Sequence, residues 1–444
     1  MIKQAAPPSA VRSDSNPTLA MRIWVQTAPF AFLGPYVALG LRTEQIYLYA
    51  SMGIALVSLS KLPSLIPGPI PFIALLTFPV LIAGVGLVEP TTSTMRSPTG
   101  GLNYLDNLVI PIAVVMTVWM WRRSLIASAL VKLLAPAVLL ALSLAALVSL
   151  IQFLNPDIAR PLISAFVTAQ GFEGSVASLA EGAGRYGGIF NQPAEAGLAF
   201  ATGLLVAVYQ LLTSRTGPLL FLYTGLIVVG GLLSESKVFL LGGLPLAAVL
   251  SLSLAFRLRR GRTLLGMGAV FVAASQLTLG IGWANRNNFG FAFFASDSRA
   301  VADSLSAGRY GANATTGVLW EAVISASPIA GLGLYGPRYP TDSQWGEYLA
   351  VAGLLGVICW VSIVMLLGLR LVRLRPHLEV CGLRLALGLL TLLVGASFGI
   401  SSITCNRAGA LIWSLVVVLL VAGGLSNSST GSASATRSRF LSRS

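Results

Sequence analysis

The chain has 444 residues, of which 55% are hydrophobic and only 10% charged, with a mean hydropathy of +0.81. A soluble domain carries about 25% charged residues, so this sequence lacks the means to coat a water-facing surface of its size. The formal charge of +14 at pH 7 reflects basic residues gathered in alternate loops between apolar runs, a membrane-topology pattern that gives no reason to expect a nucleic-acid partner.

Those runs are roughly 17 to 25 residues long, enough to carry a helix across about 30 Å of hydrocarbon. They do not alternate polar and apolar residues as barrel strands do. The reading is an all-α polytopic membrane protein with about twelve spans, at about 24–41, 44–60, 67–88, 107–121, 129–153, 189–213, 217–234, 238–256, 263–283, 346–369, 386–403 and 407–424. Pro35 and Arg42 interrupt the first two. Arg122 and Arg123, Arg215, the run Arg257 to Arg262, the group Arg370 to Arg384, and both tails fall on one side. By the positive-inside tendency that side is cytoplasmic, with both termini there. The expected organisation is a cytoplasmic tail over about 1–23, a single transmembrane domain over about 24–424, and a disordered Ser/Arg-rich tail over about 425–444. The polar start, Met1 to Thr18, contains no short apolar stretch ending in a cleavage site.

Two outer loops are longer than plain connections need, at about 155–188 and 284–345. The first carries Arg160 and Arg185, the second Arg286, Arg299, Arg309 and Arg338, where few arginines are expected outside. Arginine grips phosphate through a fixed fork of donors that never loses its charge. A cluster at the outer surface therefore suits a lipid-linked pyrophosphate, although each arginine alone could instead pair with Asp297, Asp303, Glu321, Asp342 or a headgroup.

Four stretches stand out. From Gly184 to Glu195, a glycine-rich segment leads into a span bearing Asn191 and Glu195. A carboxylate there is costly unless it faces a polar cavity or pairs with a base such as Arg185. In Ser234–Lys237 a short turn sets a cation at the head of the next span. From Tyr310 to Ile324, apolar and aromatic residues at helical spacing suggest an interfacial helix ending before Pro328 and Gly331. Asp342, Gln344 and Glu347 then stand at the mouth of a span, followed by Gly353 and Gly356, which permit close helix approach. Asp342 is placed to orient or deprotonate a sugar hydroxyl, or to cap the helix.

Other signals are set aside. Gly331 to Gly336 spells a dinucleotide fingerprint, but no strand precedes it and Pro337 follows, so it reads as a turn. His377, the single histidine, sits in a cytoplasmic loop. Cys359, Cys381 and Cys405 lie in or beside apolar segments, without disulfide or metal spacing. No metal or other cofactor is expected.

Taken in order, the stretch from Arg185 to Pro193, the Ser234–Lys237 turn, Gly308–Arg309, Trp320, Pro328 to Gly333, Asp342 to Trp345 and Gly353 to Gly356 resemble the O-antigen ligase and polymerase superfamily of bacterial envelope enzymes. The resemblance covers about residues 180–370. It implies a GT-C-like arrangement in the inner membrane, with one large extracytoplasmic loop between two late helices. It also implies metal-independent transfer of a glycan from undecaprenyl pyrophosphate to a hydroxyl. Ligases of this family carry a histidine near the start of the helix after the large loop. The matching position here is Asp342, which shifts the expectation towards a polymerase of O-antigen or exopolysaccharide repeat units. Lys237 stands where many members have arginine.

On that reading Asp342 or Glu195 is catalytic, orienting or deprotonating the acceptor. Arg185, Asn191, Lys237, Arg286, Arg309, Arg338 and Gln344 bind pyrophosphate or glycan, while Tyr186, Trp320, Tyr335, Tyr339 and Trp345 stack on sugars or form an interfacial belt. The partners expected are the undecaprenyl-pyrophosphate-linked oligosaccharide, the bilayer, and a chain-length regulator or flippase. The alternatives are a ligase that transfers finished glycan to lipid A core or protein and, from another class, a secondary transporter.

Overall fold

The computed structural model of the chain describes residues 18–37, 40–59, 69–85, 101–122, 125, 127–167, 172–214, 217–284, 315–333, 343–375 and 380–421. Among them every regular element is helical, apart from one isolated bridge between Tyr36 and Arg42.

The first five helices are α1 (Leu19–Phe32), α2 (Thr43–Leu59), α3 (Ile70–Val85), α4 (Gly101–Arg122) and α5 (Ala127–Leu154). α1 stops at Phe32, nine residues before the end read from hydropathy, because Leu33 to Pro35 turn the chain back towards Arg42. The segment read as an outer loop contains two short helices, α6 (Pro156–Val167) and α7 (Val176–Gly182). Then follow α8 (Pro193–Thr213), α9 (Pro218–Leu233), a π-helical turn Val238–Gly243 continuing into α10 (Leu244–Leu258), and α11 (Gly261–Ala284). The last four are α12 (Thr315–Ala326), α13 (Gln344–Leu374), α14 (Val380–Ala396) and α15 (Ala408–Val416), the last prolonged by a π-turn to Val421.

Local chemistry accounts for several helix starts. Pro193 and Pro218 open α8 and α9, where a missing N–H costs nothing. Ser175 and Ser343 cap α7 and α13, accepting from Ser178 N at 3.1 Å and Gly346 N at 3.0 Å.

Among the described residues, five helical segments are long and apolar enough to cross a membrane: Leu105–Arg122, Ala127–Leu154, Pro193–Thr213, Val238–Leu258 and Gln344–Leu374. Shorter apolar helices pack among them, including Ile70–Gly84, Pro218–Leu233 and Cys381–Ala396. The protein is a multi-pass helical membrane protein. α8 is the most deeply buried of the five and packs against α5, α9, α10, α14 and α15. Glycines permit that closeness: a Cβ on Gly243 would lie 2.6 Å from Ala201 Cβ, and one on Gly230 2.7 Å from Phe200.

α13 is broken at Ala352 and Gly353, where φ is −131° and +61°. The turn after α12 fills the break. Leu332 N donates to Ala350 O at 2.6 Å and Leu354 N to Pro328 O at 2.9 Å, so the freed backbone groups find partners. Leu319, Val323 and Leu332 pack on Leu349 and Ala350 in a small core of their own. A helix expected from the sequence in this stretch is thus present over Thr315–Ala326 and tied into α13, its expected start at Tyr310 lying outside the described residues. Gly331 and Gly333 are both at positive φ, and the remainder of the turn read from Gly331 to Gly336 lies outside the described residues.

A candidate site at the acidic end of the bundle

The hydrogen bonds show which helix ends meet. The C-terminal ends of α1, α6 and α9 and the N-terminal ends of α2, α8, α13 and α15 gather at one end. Every acidic residue among those described (Glu44, Asp106, Asp157, Glu173, Glu181, Glu195, Glu235, Glu321 and Glu347) belongs to this end.

Arg407 is its centre. The residue precedes α15 at φ +48°, a strained setting for a non-glycine residue that directs both its backbone N–H and its side chain inward. The side chain is 0% exposed. Its Nε donates to Gly34 O at 3.2 Å, Nη1 to Asn191 Oδ1 at 3.3 Å and Nη2 to Phe166 O, while its backbone N donates to Glu44 Oε2 at 3.2 Å. The guanidinium also lies 5.6 Å from the centre of the Tyr36 ring.

Asn191 links this arginine to Glu195. Its side-chain oxygen accepts from Arg407 and its backbone N donates to Glu195 Oε2 at 3.0 Å. Glu195 is in the first turn of α8, where the helix dipole favours an anion. It is 1% exposed, and its other oxygen, Oε1, has no hydrogen-bond partner among the described residues. Glu44 Oε1 is in the same condition.

A second pairing extends the network. Arg42 lies 3.3 Å from Glu44 Oε2 and 2.8 Å from Asp106 Oδ2. Gln45 Nε2 donates to the same Asp106 oxygen at 2.7 Å, and the Tyr49 hydroxyl donates to its Oδ1. Two carboxylates, Glu44 and Asp106, thus meet the Arg42 guanidinium, and a third, Glu195, is joined to Arg407 through Asn191. Burying so many charges is expensive, and losing any one partner would leave another uncompensated.

Two neighbouring polar groups complete this end. Gln344 Oε1 accepts from Ile403 N at 2.9 Å, while its Nε2 reaches Glu347 Oε2 and Thr404 Oγ1, both at 3.2 Å. The Thr404 hydroxyl donates to Glu347 Oε2. Elsewhere Gln152 accepts from Gly188 N at 2.9 Å and donates to Glu181 at 2.8 Å; Arg160 binds the other Glu181 oxygen at 2.8 Å.

The residues singled out from the sequence separate into groups. Asn191 and Glu195 stand together in the Arg407 network. Arg185 Nη2 donates to Glu235 O at 3.2 Å, which brings it to the turn that ends in Lys237. That turn packs on α8 at Gly197, and Glu235 is strained at φ +46°. Gln344 belongs to the Glu347–Thr404 group. Asp342, Arg286, Arg309 and Arg338 lie outside the described residues, as do Tyr335 and Tyr339. Two stacking candidates have their rings against protein: Tyr186 is buried edge-on to Phe153, and Trp345 stacks on Phe398 and donates to Ser397 Oγ at 2.8 Å. Burial also pushes the Tyr186 phenol above its ordinary range. Trp320 is exposed.

Sequence reasoning passed over Arg407, Arg42, Glu44 and Asp106 as site residues. The available signal was charge inside or beside apolar segments, the same cost argument that picked out Glu195.

No protein-family model matches the chain, and no curated protein matches it.

Proposed function

We propose that the chain is a membrane glycan polymerase of the O-antigen or exopolysaccharide type, spanning the inner membrane about twelve times with both termini in the cytoplasm and the acidic end facing outward. The observation that carries this reading is Glu195: a buried carboxylate held on one oxygen by Asn191, with its second oxygen unpartnered among the described residues, near arginines at one end of an apolar bundle. A carboxylate so placed can accept a proton from an acceptor hydroxyl that comes within hydrogen-bond reach.

In the proposed reaction the acceptor hydroxyl oxygen attacks the anomeric carbon of the donor glycan. The bond from that carbon to the pyrophosphate oxygen breaks, and undecaprenyl pyrophosphate leaves. The hydroxyl proton passes to Glu195 or Asp342. Arg185 and Lys237, with Arg286, Arg309 and Arg338 from the large loop, balance charge growing on the leaving group. Arg407 is not assigned to pyrophosphate, since its three guanidinium nitrogens already serve protein oxygens.

The test is a gel of envelope and secreted polysaccharide from a deletion strain, complemented with wild type, Arg185→Ala or Arg309→Ala. A ladder that collapses to one repeat unit and returns only with wild type supports a polymerase. Polymer that persists on its lipid carrier beside bare acceptor would identify a ligase.

A second reading, a secondary transporter, draws on the broken α13 and the π-turn that opens α10, because interrupted helices commonly frame transport sites. An unchanged polysaccharide profile in the deletion strain would favour it.

A further inference from the structure

α6 and α7 have 12 and 7 residues, about 18 and 10 Å of helix at 1.5 Å per residue. Neither can cross about 30 Å of hydrocarbon. Between them they enclose a small core of Ala159, Ile163, Val167, Phe172 and Ala177, which rests on α5 through Val148. The side turned away from that core exposes Ile158 and Leu162 on α6 and Val176 and Leu179 on α7.

The apolar face continues a stripe that begins on α5. Leu147, Ile151 and Leu154 are exposed at helical steps of three or four residues, and the series passes Asn155 into α6 as Ile158 and Leu162. On a membrane-spanning helix such a stripe faces lipid. Ile158 is 66% exposed, and on α7 Leu179 is 71% exposed. Polar groups border the face: Asp157 and Arg160 pair at 3.0 Å, and Arg160 also binds Glu181. Apolar residues on one side with a charged fringe are the pattern of a helix lying in the membrane interface.

We propose that α6 and α7 form a shelf in the bilayer interface whose outer face is covered by lipid acyl chains, with Asp157 and Arg160 at headgroup level. Continuity with the α5 stripe selects lipid over a protein partner, and open water would leave an apolar patch of a kind soluble surfaces avoid. The shelf is bolted to the polar network. Phe166 O accepts from Arg407, and Ala165 O accepts from Tyr36 N at 2.8 Å. The backbone at the end of α6 is therefore joined to Asn191 by one arginine side chain. The inference stands on packing and exposure and does not depend on the glycan chemistry.

The experiment uses the full chain with Cys359, Cys381 and Cys405 replaced by serine, reconstituted in phosphatidylethanolamine–phosphatidylglycerol vesicles. Single cysteines at Leu162, Leu179, Leu144 (mid-span control) and Asp157 (polar control) carry a small fluorophore. Quenching is read with nitroxide-labelled lipid and with aqueous iodide. The shelf predicts that Leu162 and Leu179 follow Leu144: quenched by nitroxide lipid, with loss of iodide quenching relative to Asp157. Iodide quenching as strong as at Asp157 would overturn it by placing the face in water. Protection from both quenchers would also overturn it, because a second copy or another protein would then cover the face. Thermal unfolding of each labelled variant alongside the parent identifies any substitution that disturbs folding, and for such a position Ile158→Cys or Val176→Cys supplies the reading.

Discussion

The two ends of the helical bundle use arginine in opposite ways. At the basic end, Arg260 donates to Leu211 O at 3.4 Å and Ser214 O at 2.9 Å, capping the C-terminus of α8, while Arg122 reaches Leu125 O at 3.2 Å and Arg384 reaches Ser253 O. Of these, Arg260 meets the carbonyl end of a helix, where the backbone dipole is negative and a partly exposed side chain contributes modestly, while Arg122 is itself buried. At the acidic end, Arg42 and Arg407 are buried among carboxylates and carbonyls drawn from helices far apart in sequence. The difference lies in solvation. A cap facing water can be lost at small cost, whereas a buried charge network holds only while every member is present.

That contrast orders the consequences of substitution. The largest effect is expected from Arg407→Met, which strands Asn191 Oδ1, Gly34 O and Phe166 O and releases the ends of α1 and α6 together. Breaking a buried network of this kind costs about 3–5 kcal/mol, and the unfolding midpoint of the purified protein in detergent should fall accordingly. Gly353→Ala should follow closely. Its Cβ would lie 2.4 Å from Ile329 C and O at φ +61°, so about 3 kcal/mol or more is at stake, and limited proteolysis should cut near α12 sooner than in wild type. Gln152→Ala leaves Gly188 N and Glu181 without their shared partner. The expected loss is about 1–3 kcal/mol, measured by the same melting experiment. Arg260→Ala should be the mildest, at about 0.5–1 kcal/mol. Equal effects of Arg260→Ala and Arg407→Met would erase the distinction between the two ends.

The helices were readable because apolar runs report burial in lipid whatever they pack against. The spans read at about 129–153 and 217–234 correspond to α5 and α9 within a few residues. Where the reading erred, local turn chemistry or tertiary packing had intervened. Leu33 to Pro35 end α1 early, and the supposed loop after α5 folds into α6 and α7 on a small core that sequence periodicity cannot anticipate. The candidate site was partly readable for the same reason: Glu195 and Asn191 were conspicuous as polar groups at the start of an apolar run. Their partner was not. Arg407 and Glu44 are 363 positions apart, and no pattern along the chain reports which helix ends will meet. Four of the residues proposed from the sequence, Asp342, Arg286, Arg309 and Arg338, fall outside the described residues.

The central claim is that Glu195 does chemistry at the acidic end in addition to holding it together. The direct measurement is the polysaccharide ladder from a deletion strain carrying Glu195→Gln, beside Arg260→Gln, with membrane abundance and melting temperature recorded for each. The account predicts wild-type abundance with no polymer for Glu195→Gln and a normal ladder for Arg260→Gln. A full ladder from a folded Glu195→Gln protein would contradict it.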